Sequence, residues 1–109
     1  MLEDVLAHHE LVLSEYILGD IGQKLRGKFT FPEREIRLLI RVLRNAGRLV
    51  VPATLPADMC RDPHDVPVLG SAVAGSATAV ITGDKDLLTL RHLRELQILK
   101  PSRFWLLTQ

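Results

Sequence analysis

Five aspartates carry the chemical promise of this chain. Asp84 and Asp86 follow directly on the apolar run Ala79-Val80-Ile81-Thr82. Asp62 and Asp65 open a stretch of small residues, and Asp20 stands about a turn and a half into the helix expected after Ser14. In a parallel α/β sheet all five can point to the edge beyond the carboxyl ends of the strands, where such sheets bind ligands. Crowded carboxylates raise one another's pKa unless a cation neutralises them. Mg²⁺ and Mn²⁺ prefer oxygen donors of this kind. A divalent ion at that edge activates water and offsets charge on a phosphodiester. The competing explanation is local. Aspartate is a preferred helix cap, and both Asp62-Pro63 and Gly83-Asp84 have the look of caps. Capping accounts for single residues more readily than for the clustering.

Other candidate groups are less telling. Arg37, Arg41, Arg44 and Arg48 recur at helical spacing and form a basic ridge. Such a ridge docks phosphates if RNA is the substrate, or the acidic face of a partner protein if it is not. His8, His9 and His64 lack partners at zinc-ligand spacing. Ser14 and Ser71 have no His/Asp constellation that spacing suggests. Gly70 and Gly75 are not followed by lysine and sit in a helix, which argues against a phosphate loop.

The elements that position these groups follow from pattern. Glu10 to Ser14 and Arg48 to Val51 read as strands. Between them, Ile17, Leu18, Ile21 and Leu25 have helical spacing, with Ser14 as N-cap and Gly27 at the end. A second helix starts at Pro32 with the stripe Ile36, Leu39, Ile40, Leu43, and Gly47 closes it. Pro52 to His64 reads as a loop. A helix over Val66 to Gly75 follows, with apolar Val68, Leu69, Ala72 and Val73. Ala79 to Thr82 and Leu96 to Leu99 are further strands, and Phe104 to Leu107 reads as a terminal core or interface segment. Leu2 to Ala7 reads as the end of a helix. Strands alternating with helices predict a three-layer α/β/α fold on a parallel sheet.

The 109 residues suit a single domain. A formal charge of +1 excludes a globally basic nucleic-acid binder. It hides a segregation: residues 1–20, 21–48, 49–90 and 91–109 carry −5, +6, −3 and +3. The one cysteine, Cys60, excludes an internal disulfide or a cysteine zinc site and fits a reducing, cytoplasmic compartment. Aromatics at 5% argue against base stacking on an aromatic platform. No signal-peptide pattern and no comfortable membrane span is read.

Two motifs together resemble the PIN-domain family, and most closely the toxin components of bacterial toxin–antitoxin systems. They are Cys60-Arg61-Asp62-Pro63-His64-Asp65 and Thr82-Gly83-Asp84-Lys85-Asp86-Leu87-Leu88. Ser14 to Asp20 is similar to that branch's second acidic motif, with Asp20 in place of a glutamate, and Ile98 to Phe104 to its closing strand. The resemblance implies a Mg²⁺- or Mn²⁺-dependent ribonuclease acting on single-stranded RNA. It implies Asp20, Asp65 and Asp84 as catalytic metal-binding acids and Asp86 as a further metal-binding candidate. Asp62 and Thr82 would support them, and Arg37, Arg41 and Arg44 would meet RNA. An antitoxin protein is the implied partner. The family's first strand, an apolar run ending in Asp-Thr-Asn, matches nothing before Leu11. The expected sheet therefore lacks its central first strand, and unpaired edges favour a homodimer or higher oligomer. The alternative expectation is a catalytically incomplete PIN-like remnant that binds RNA or an antitoxin.

Overall fold

The computed structural model describes residues 8–107. The expected helix end over Leu2 to Ala7 lies outside the described residues. The chain divides into two compact units, Met1–Val51 and Pro52–Gln109.

The first unit runs β1 (Val12–Leu13), α1 (Glu15–Gly27), α2 (Glu33–Ala46) and β2 (Arg48–Leu49). The two short strands pair in parallel, Val12 with Arg48 and Leu13 with Leu49. Ser14 breaks the strand and caps α1: its Oγ accepts a hydrogen bond from the Ile17 amide at 3.2 Å, and the residue is fully buried. Pro32 starts α2 by its fixed φ, without a side-chain cap. The expected stripes then meet. Leu13, Leu18 and Leu43 form the core, with Leu11, Ile17, Ile21, Leu39 and Ile40 packed on it. Gly47 is required at the turn into β2, since a Cβ there would lie 2.9 Å from Leu13 Cδ1 and 3.2 Å from the Leu11 carbonyl oxygen. Ser14→Ala leaves the first amides of α1 without their acceptor. We expect it to lower stability by about 1 kcal/mol, read as a shift in the urea midpoint.

The second unit begins with an irregular segment and a 3₁₀ turn (Pro63–Asp65). It continues as α3 (Val66–Ala74), β3 (Ala79–Ile81), α4 (Lys85–Leu90), β4 (His92–Leu93), β5 (Leu96–Leu99) and α5 (Pro101–Leu107). The strands lie in the order β3-β5-β4. β3 and β5 are parallel, with Val80 opposite Ile98, whereas β4 and β5 form an antiparallel hairpin. The core is Leu69, Ala72, Leu87, Leu96 and Ile98.

The α/β class and the parallel pairing match expectation, with three corrections. The sheet of the second unit is mixed, because a tight turn carrying Arg94 at φ 55° sends β4 back along β5. A helix, α4, follows Gly83-Asp84, where the sequence pattern assigns no element. The terminal apolar segment, to which the sequence pattern assigns no secondary structure, is helical, with Phe104 half-buried and Leu106 exposed. Among the described residues, no helix is long and apolar enough to cross a membrane.

Candidate functional site

The acids of the second unit are positioned by three local devices. Asp62 precedes Pro63 and caps the 3₁₀ turn, its Oδ1 accepting from the His64 amide at 3.0 Å and lying 3.0 Å from His64 Nδ1. Asp84 ends the stretch after β3 and caps α4. Its Oδ1 accepts from the amides of Asp86 at 2.8 Å and Leu87 at 3.2 Å. Its own amide donates to Thr82 Oγ1 at 3.0 Å, so Thr82 fixes the backbone that aims the carboxylate. Asp65 behaves differently. It stands at the start of α3 but makes no side-chain cap. The residue is 8% exposed, and its Oδ2 is buried without a hydrogen bond, although other interactions hold the residue.

Cysteine 60 ties these acids together. Its thiol donates to the Asp62 carbonyl oxygen at 3.3 Å. Burial pushes the thiol pKa up, and the negative charges of Asp65, Asp62 and Asp84 push it further. Three acids from two separated motifs thus act on one sulfur atom. This neighbour was not singled out in the sequence, where a lone cysteine carries no spacing signal. Beside it opens a groove of about 660 Å³ lined by Asp58, Cys60, Arg61, Asp86 and Thr89 among others. Arg61 Nη1 lies 3.6 Å from Asp86 Oδ1 across this groove.

The remaining candidates belong to the first unit. Asp20 lies on α1 and pairs with Lys24 Nζ at 3.0 Å. Arg37 and Arg41 are exposed on α2. Arg44 is instead bound to Glu15, and Arg48 to Glu10. The basic ridge is therefore shorter in free charge than its sequence suggests.

A family model described as PIN domain matches residues 6–86. The chain belongs to the PIN domain family. The match spans both acidic motifs of the second unit and the whole β1-to-β2 segment of the first. A comparison with curated proteins found no match. The PIN domain is a nuclease-type fold whose members generally use divalent metals. The residues of this PIN domain meet that requirement in type but not as a closed cage. Among the described residues, no three His, Cys, Asp or Glu side chains converge closely enough to enclose an ion. The donors on offer are carboxylates. A hard cation such as Mg²⁺ commonly rests on one or two of these and completes its shell with water and substrate phosphate. Asp65 and Asp84 supply donors of that type, with Asp86 two residues beyond Asp84. The capping explanation holds for Asp62 and Asp84 and fails for Asp65.

Proposed function

We propose that this PIN domain is a ribonuclease acting on single-stranded RNA, of the kind that serves as the toxin of a toxin–antitoxin pair. The observation that carries the reading is the PIN-domain match over residues 6–86, which takes in Asp65, a buried acid that makes no side-chain cap, and Asp84 at the start of α4. Asp65 and Asp84 would hold Mg²⁺ or Mn²⁺, which when bound supplies an activated water and neutralises phosphate charge. The protein's own residues do the positioning. Thr82 orients the Asp84 backbone, and the helix that Asp84 caps sets the place of Asp86. Arg61 keeps a guanidinium beside Asp86, in reach of a phosphodiester entering the groove. Asp62 secures the turn that presents Asp65. Asp20, on α1 of the first unit, is held by Lys24 and is given no part in this set.

The test is cleavage of an end-labelled single-stranded RNA by the purified chain. Cleavage with MnCl₂, and its loss on adding EDTA, is the expected result. A folded sample that leaves the RNA intact at all Mn²⁺ concentrations overturns the reading. A second reading is binding of RNA or an antitoxin without cleavage. It is favoured by the commitment of Asp84 Oδ1 to two backbone amides and of Asp20 to Lys24. Calorimetry separates the two: retained RNA binding with no Mn²⁺ binding supports the second. Size-exclusion chromatography tests the proposed homodimer or higher oligomer.

A further inference from the structure

The tip between α1 and α2 carries the two most conspicuous aromatic rings of the described residues. Phe29 and Phe31 are 55% and 43% exposed. They touch each other edge to face, with centroids 6.3 Å apart and planes at 68°. Lys28 Nζ lies over the Phe29 ring, 5.7 Å from its centroid. The backbone holds this display in place. The Lys28 and Phe29 amides both donate to the Lys24 carbonyl, and the Phe31 amide donates to that of Leu25. Thr30, between the rings, takes a left-handed φ of 50°, so both neighbours are turned outward without a glycine. Arg26 is engaged elsewhere, its Nε and Nη2 both donating to the Glu33 carboxylate at 2.7 Å.

Two large apolar groups left in water call for an occupant, and the surrounding charge selects it. Lys28, Arg34 and Arg41 enter no ion pair among the described residues, and of the neighbouring acids Asp20 and Glu33 are already paired, which leaves Glu35 alone against these three cations. A partner with flat apolar faces and regular negative charge matches both features. A single strand of nucleic acid has unstacked bases between phosphates, and aromatic rings flanked by cations bind it without reading sequence.

We infer that Phe29, Phe31 and Lys28 form a stacking platform for the bases of single-stranded RNA. The choice of RNA rests on the proposed function, but the platform holds RNA without cutting it. It runs against the expectation drawn from composition. Aromatics are few, yet two of the five are spent on one solvent-facing tip beside uncompensated cations.

The test is fluorescence anisotropy of a labelled oligouridine strand, in EDTA so that binding alone is read. Phe29→Ala with Phe31→Ala is expected to weaken binding about tenfold or more. The paired tyrosine substitutions should retain affinity, since a ring remains. The slope of log affinity against log salt should stay as in wild type for the ring variants. For Lys28→Ala it should fall by about 0.7. Circular dichroism checks the fold, which exposed rings do not support. An alanine pair that binds within twofold of wild type overturns the platform. So does a tyrosine pair as weak as the alanine pair, or wild-type protein that fails to bind the strand. Wild-type protein that sediments with phosphatidylserine vesicles but not with RNA also overturns it, and assigns the tip to membranes. Binding that depends on the rings in protein that never cleaves supports the platform and counts against the nuclease alone.

Discussion

Asp84→Asn reduces Mn²⁺-dependent RNA cleavage roughly 100-fold while leaving the urea midpoint unchanged. Both halves of that expectation come from one atom. Asp84 Oδ1 caps α4 by accepting from the Asp86 and Leu87 amides. Asparagine caps as well as aspartate, and its Oδ1 accepts the same two bonds. The substitution removes the negative charge and little else. Asp84→Ala removes charge and cap together, so it should lose the same activity and also about 1 kcal/mol of stability. Initial cleavage rates and urea titrations of both variants resolve the roles. If capping were all that Asp84 does, the asparagine variant would cut RNA at the wild-type rate.

Gly70→Ala destabilises the second unit by about 2 kcal/mol, against the usual sign. In an exposed helix interior alanine stabilises relative to glycine by about 0.5–1 kcal/mol. At Gly70, however, a Cβ would stand 2.4 Å from the Ala53 carbonyl oxygen and 3.3 Å from Pro52 Cβ. The Ala53 amide in turn donates to the Gly70 carbonyl at 2.9 Å. The obstacle is backbone, bonded in place, so it cannot swing aside like a side-chain end. Two controls within α1 isolate the cause. Gly19 has nothing within 4 Å of a new Cβ, so Gly19→Ala should stabilise. Gly22 meets Ile40 Cδ1 at 3.2 Å, a movable methyl, so Gly22→Ala should be close to neutral. Urea denaturation of the three variants checks the order, and a neutral Gly70→Ala would refute the account.

The elements legible in the sequence were those with a strong local signal at each end. Ser14 announces α1, Pro32 and Gly47 bracket α2, and Leu96 to Leu99 alternates as a half-buried strand should. The rest failed for physical reasons. α4 is only six residues long, so although Asp84 had the look of a cap, too few residues followed to show a helical period. β4 has two residues, too few for any period, and its turn uses Arg94 in a left-handed state where a glycine or asparagine would have flagged it. Among the candidate acids, the caps made by Asp62 and Asp84 were legible by type and position. The influence of Asp84 on the Cys60 thiol was not, because the two residues are far apart in sequence. The pairing of Arg44 was not legible, because its counter-charge, Glu15, lies on another helix.

The pairing of β1 with β2 also has a consequence for the order of folding. Two residue pairs close a loop that contains residues 14–47. Closure of so long a segment costs entropy that two rungs of ladder hardly repay. Both helices must therefore be formed and packed on each other before the strands can stay together. The strand amides of this unit are then the last to gain protection from solvent exchange and the first to lose it.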